Sequence, residues 1–201
     1  MKKQNLIIIA IAAGLAVSAA TSQAGLSLGY SSIVGSGIQF NGASSSFQLS
    51  PTPGSVSSPE FQVTTETGGT AALGLYGWVN GGPWTIGSIT TSGTKQTATV
   101  TGVGNLFLND GAGNDLTGTL NWRTIQTDQS AGAINAALAF NVTGLTYAGL
   151  NVDLLALANG GNGSMNLTFQ FNPGQSLTEL TTGGAQVGSF SGALAATSVP
   201  E

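Results

Sequence analysis

The sequence predicts an all-β fold, an antiparallel β-sandwich or jelly roll in a single domain, following an N-terminal signal-peptide helix. Three observations carry that prediction. Apolar and polar residues alternate with period two in segment after segment, clusters of Gly, Asn, Pro and Ser separate those segments, and no stretch sustains a helical period. Alternation buries one face of each strand and leaves the other in water, as antiparallel sheets require. Short strands at roughly ten-residue spacing with turn chemistry between them are the sandwich pattern.

The elements follow in chain order. Lys2 and Lys3, the uncharged apolar run from Leu6 to Ala20, and the small residues Ser22 and Ala24 lay out a secretory signal peptide cleaved between Ala24 and Gly25. That run, about 15 residues, falls short of the ~20 needed to span a bilayer. Ile38-Gln39-Phe40, Phe47-Gln48-Leu49 and Phe61-Gln62-Val63 read as short strands, with Asn41-Gly42 as a turn and the Pro/Ser-rich residues 50–59 as a surface loop. Leu73, Leu75 and Val79 form the core face of the next strand, and Tyr76 and Trp78 its outer face, beside the turn Asn80-Gly81-Gly82-Pro83. Thr97-Ala98-Thr99-Val100 continues the pattern.

Residues 106–108 and 116–123 make a hairpin around an Asn/Asp/Gly loop, with Leu116, Leu120 and Trp122 facing inward. Leu138, Phe140 and Val142 alternate with Ala139, Asn141 and Thr143, and Asp153 between Val152 and Leu154 reads as a solvated strand residue. Turns are expected at Asn159-Gly160-Gly161-Asn162-Gly163 and Asn172-Pro173-Gly174. The clearest alternation lies between them, with Met165, Leu167, Phe169 and Phe171 on one side. A last strand near 187–190 gives the division 1–24 signal peptide, 25–190 sandwich domain, and 191–201 flexible spacer. Most of these strands are shorter than the ~9–11 residues of a membrane barrel, and no constant repeat supports a β-helix.

Composition excludes several chemistries. The 201 residues include 31 glycines, no cysteine and no histidine, and only 6% are charged. A disulfide framework, a thiolate metal site and a cysteine nucleophile are therefore excluded, as is the commonest general base. Beyond the signal peptide, Lys95 and Arg123 stand against eight acids, which excludes the basic footprint that nucleic acid needs. Serines have no histidine partner, and Glu60, Glu66, Asp128, Asp153 and Glu179 are scattered with nothing to pair them as a glycosidase would require. No catalytic residue is assigned, and no cofactor is implied.

Two groups of residues carry a binding reading beside a structural one. Asp110 and Asp115, in Asn109-Asp110-Gly111-Ala112-Gly113-Asn114-Asp115, supply hard oxygens that calcium prefers, but the same residues also build a hairpin loop. Tyr76 and Trp78, with Trp84 nearby, would form a sugar-stacking platform if their face is open, and core if a sheet or loop covers it.

The Ala/Ser/Thr-rich residues 191–198 and the closing Val199-Pro200-Glu201, in a signal-bearing β chain of this composition, resemble the PEP-CTERM proteins of Gram-negative bacteria. Those proteins carry a C-terminal sorting tag beginning Val-Pro-Glu-Pro, followed by an apolar stretch and an Arg-rich end, and processed by a membrane protease, the exosortase. Only Val199, Pro200 and Glu201 match, so the resemblance implies a tag continuing past Glu201. It further implies an exported protein of the cell surface or of the extracellular biofilm matrix. Expected partners are the export machinery, the exosortase and extracellular polysaccharide, with membrane contact only in transit or through the tail. The function expected is structural or interactive and non-catalytic, with a carbohydrate-binding module as the alternative.

Overall fold

The computed structural model describes residues 25–128, 136–171 and 174–196, with backbone alone for 136–139. The expected signal peptide with its Ala24, the turn residues Asn172 and Pro173, and Val199-Pro200-Glu201 lie outside the described residues.

Among the described residues, thirteen strands form one hydrogen-bonded, wholly antiparallel sheet. They are β1 (Ser27–Ser32), β2 (Gly37–Asn41), β3 (Ser46–Ser50), β4 (Phe61–Thr67), β5 (Tyr76–Asn80), β6 (Trp84–Ile86), β7 (Thr90–Ser92), β8 (Lys95–Thr101), β9 (Val103–Asn109), β10 (Asp115–Asp128), β11 (Ala136–Thr146), β12 (Asn162–Gln170) and β13 (Gln186–Ala196). Several run on into one another without reversing. β1 and β2 are both antiparallel to β13, and β8 and β9 are both antiparallel to β10. By the same logic β3 continues into β4, and β5 into β6 and β7.

Thirteen strands are thus eight staves: β1–β2, β3–β4, β5–β6–β7, β8–β9, β10, β11, β12 and β13. Each stave pairs with the next in sequence. The eighth returns to the first, because β13 pairs with β1 at Leu194↔Leu28 and with β2 at Val187↔Gln39. The sandwich-like all-β class holds, and its sheet is closed into an up-and-down barrel, the arrangement that removes exposed sheet edges. An eight-stranded barrel is just wide enough to fill with side chains, and this one is filled. β12 alternates inward and outward along its length and β10 does so on either side of a bulge at Arg123 and Thr124, with Leu116, Leu120, Met165, Leu167 and Phe169 inside.

The interior has two parts. Towards one end lie the rings of Phe40, Phe47, Trp84, Trp122, Phe140 and Phe169, with neighbouring centroids 4.1–5.6 Å apart. Towards the other lie Leu28, Val63, Leu106, Leu108, Met165 and Leu194 with Tyr30 and Phe61, around a residual cavity of about 10 Å³. Most outward positions of β10 and β12 carry Thr, Asn, Ser or Gln. That is the inverse of a membrane barrel, whose lipid face is apolar.

Five expectations are corrected. Residues 191–196 belong to β13 and pair with both neighbours, so the last strand extends beyond the predicted domain boundary at 190. Two short helices interrupt the all-strand reading: α1 (Val152–Asn159), between β11 and β12, and α2 (Leu177–Thr182), between β12 and β13. Asp153 is on α1, buried, and not a solvated strand residue. Leu73 is exposed in the turn before β5 and contributes nothing to the core face assigned to it. The turn predicted at Asn80-Gly81-Gly82-Pro83 interrupts the third stave without reversing it.

Candidate functional site

The outer aromatic residues are where the sequence looked for a ligand. Register places Tyr76 and Trp78 outward on β5, as predicted, opposite Asn109 and Phe107 of β9. Trp78 stacks on Phe107 with ring planes 6° apart and centroids 5.2 Å apart. Yet Trp78 is only 5% exposed, because residues 51–60 cross the outer wall as a strap whose Gly54 lies against it. A Cβ on Gly54 would sit 2.5 Å from Trp78 Cβ, so only glycine fits there. Trp84 faces the interior beside Trp122 and donates Nε1–H to Val103 O at 3.2 Å, so it is core and not part of a platform. Of the three predicted sugar-stacking residues, Tyr76 alone is exposed.

At the downstream end of the strap sits Glu60, fully buried. Its Oε2 accepts from Val79 N–H at 2.8 Å, while its Oε1 has no partner. Burial pushes this carboxyl up to about 8, against a smaller lowering by the Val79 bond. Nothing in the sequence distinguished Glu60 from the other acids, apart from its apolar successor Phe61.

At the end of the barrel where the described chain starts and stops, three connections meet: residues 68–75, 110–114 and 147–161. The 110–114 hairpin is the Asp/Asn/Gly loop predicted. Asp110 Oδ1 accepts from Ala112 N–H (2.7 Å) and Asn114 N–H (3.0 Å), and Oδ2 from Asn114 Nδ2 (2.9 Å) and the Tyr147 hydroxyl (2.8 Å). Burial raises the Asp110 carboxyl, but these four bonds outweigh it and hold it well below the usual range. Asp115 accepts from Asn109 Nδ2 at 2.7 Å. Both predicted calcium candidates thus have oxygens committed to loop donors, and no third acid joins them: among the described residues no three metal-ligating side chains gather.

From Tyr147 the network continues. Asn151 N–H donates to the Tyr147 hydroxyl, Asn151 Oδ1 caps α1 by accepting from Asp153 and Leu154 N–H, and Asn151 Nδ2 donates to Ala71 O at 2.7 Å. Asp153 Oδ2 accepts from Thr70 and Ala71 N–H, and Glu66 Oε2 from Ala72 N–H at 3.1 Å. Glu66 lies beside Asp153, and burial followed by that neighbouring carboxyl raises the Glu66 carboxyl. The expectation that nothing pairs these acids is corrected: the fold brings Glu66 and Asp153 together across the barrel mouth. Their oxygens face the backbone of residues 70–72, so what the pair does here is hold that loop onto α1.

At the opposite end α2 closes the barrel. Ser176 and Glu179 form a reciprocal capping box, and Leu177 N–H donates to the buried Thr127 hydroxyl. The pattern Ser176-Leu177-Thr178-Glu179 is a readable helix start that period-two reading passed over. Beside it an open groove of about 370 Å³ is lined by Gln170, Gln175, Gln186 and Ser189 among others.

No helix among the described residues is long and apolar enough to cross a membrane. Comparisons of the chain with family models, with curated proteins and with solved structures each found no match.

Proposed function

We propose that this chain is an exported, non-catalytic structural or interaction protein of a cell surface or extracellular matrix. It offers a neutral hydrogen-bonding barrel to hydrated polysaccharide or to neighbouring copies of itself. The observation that carries this reading is the contrast between a filled apolar interior and an outer wall of uncharged hydroxyls and amides. On staves five to eight the outward residues include Thr117, Thr119 and Asn121, then Asn141 and Thr143, Ser164 and Asn166, and Ser189 and Ser191. They are already paired across strands, as in Thr117–Thr146 at 2.9 Å and Asn121–Thr143 at 3.2 Å. A lattice of neutral donors and acceptors suits sugar hydroxyls and gives acidic or basic partners no purchase.

A second feature supports delivery by a tether. The described chain begins and ends at the same barrel mouth, where Ala196 N–H donates to Leu26 O. A PEP-CTERM-type tag after β13 would leave from that mouth, with the rest of the barrel pointing away.

The test is fractionation of cells making the full chain, with surface labelling of intact cells and extraction of the matrix. Recovery at the surface or in the matrix, independent of moderate salt, is expected. Recovery in the cytoplasm, or release from the matrix by salt alone, would overturn the reading. The carbohydrate-module alternative retains one favouring observation, exposed Tyr76 beside the covered Trp78–Phe107 stack. Glycan binding lost in Tyr76→Ala without loss of folding would favour it.

A further inference from the structure

We propose that Glu60 is a proton-operated catch for the strap of residues 51–60, and that its release uncovers the Trp78–Phe107 pair on the outer wall. The geometry comes first. The strap lies across the outer face of the barrel, whose exposed strand residues are mostly polar. Beneath it is the stacked aromatic pair, and at its downstream end Glu60 turns its carboxyl into the wall.

The Glu60 backbone is held from both sides. Its N–H donates to Gly77 O at 2.9 Å, and its carbonyl accepts from Ile33 N–H and the Ser36 hydroxyl. Its carboxyl is less well served, with one bond from Val79 N–H and one buried oxygen that meets no donor. The residues around it are Gly54 from the strap, Trp78 and Val79 from β5, and Ile33 and Ser36 from the turn after β1. None of these carries a titratable or charged side chain.

A carboxylic acid tolerates such a place, but a carboxylate with an unpaired oxygen does not. Losing its proton to water, Glu60 is stable only if its side chain also reaches water, which requires the strap to lift. The direction follows from linkage. With the strap closed the group titrates at about 8, and with it open at the ordinary 4.5. Closing therefore takes up a proton across that window. The strap is tightest below pH 4.5, its opening equilibrium rises by up to about tenfold per pH unit through neutrality, and the rise levels off above about 8. The uncovered surface would be a ring pair on a neutral wall, suited to stacking on a sugar face.

The experiment is residue-resolved hydrogen exchange from pH 5 to 8, corrected for intrinsic rates, together with acrylamide quenching of Trp78 (wild type minus Trp78→Phe). The expected result is a Val79 amide less protected than the centre of β12 at every pH. Its protection falls by up to tenfold per pH unit, and Trp78 quenching rises in parallel. In Glu60→Gln both quantities become independent of pH. Val79 protection equal to that of β12 throughout, or a pH trend that persists in Glu60→Gln, would overturn the proposal. Should Glu60→Gln fail to fold, a carbon-13 carboxyl titration of the wild type decides. An apparent value well above 4.5 supports the catch, and a value at the ordinary position sinks it.

Discussion

The two walls of the barrel differ. Staves five to eight are single strands, β10 to β13, of 9 to 14 residues. Staves one to four are each broken partway, at residues 33–36, at 51–60, at both 81–83 and 87–89, and at 102, the fourth-stave break being one glycine at φ +120°. On the fifth stave the pairing register slips between Trp122 and Thr124, near where that stave's partner changes from β9 to β8. The continuous wall owes its order to alternation that survives a local bulge, so its inward side chains join one core. The broken wall gives up that regularity, and in exchange its interruptions carry the features a plain barrel lacks: the strap, the covered aromatic pair and the buried acid.

If that contrast is right, truncating the core side of the continuous wall is the most damaging change. Phe169→Ala, against Phe40 and Phe171, should cost about 3–5 kcal/mol in denaturant unfolding. Trp78→Ala on the broken wall removes a ring as deeply covered but held by a strap, and should cost less, roughly 1.5–3 kcal/mol, with strap proteolysis increasing before global unfolding. Equal costs would erase the distinction between the walls. Ser176→Ala removes the capping box of α2 and should cost about 1 kcal/mol, read as a lower melting temperature.

The acid limb of stability probes the mouth network. Asp110 is held below its ordinary 3.8, so its contribution is complete above that value and is lost as pH falls through the lower, folded one. Asp110→Asn should therefore lose less stability between pH 4 and pH 2 than the wild type does. Smallest of all, Thr143→Ala on the outer face should change stability by about 0.5 kcal/mol or less, because it touches only a solvated pair.

The same contrast explains what could be read in the sequence. The three clearest alternating stretches lie on β10, β11 and β12, within the continuous wall, where a polar residue between two apolar ones has one meaning. Leu116, Leu120, Trp122, Met165, Leu167 and Phe169 are inside as expected. Closure was not legible, because a strand's partners are set by register across the whole chain and no local pattern reports that the eighth stave meets the first. The broken strands also looked like separate short ones, so staves passed for turns, as at Asn80 to Pro83.

Outward placement of Tyr76 and Trp78 was legible from parity, but the cover over Trp78 was not, since it comes from a loop distant in pairing. The Glu66–Asp153 pair was invisible for the same reason: α1 and the 68–75 connection are far apart in sequence and meet only once the barrel has closed.

Closure is best tested by interstrand nuclear Overhauser effects at the seam between β1 and β13. The account predicts cross-strand backbone contacts from Gly29 to Ala193 and from Tyr30 to Gly192, as strong as those between β12 and β13. Their absence, with the β12–β13 contacts intact, would mean an open sheet with two free edges and would contradict the barrel.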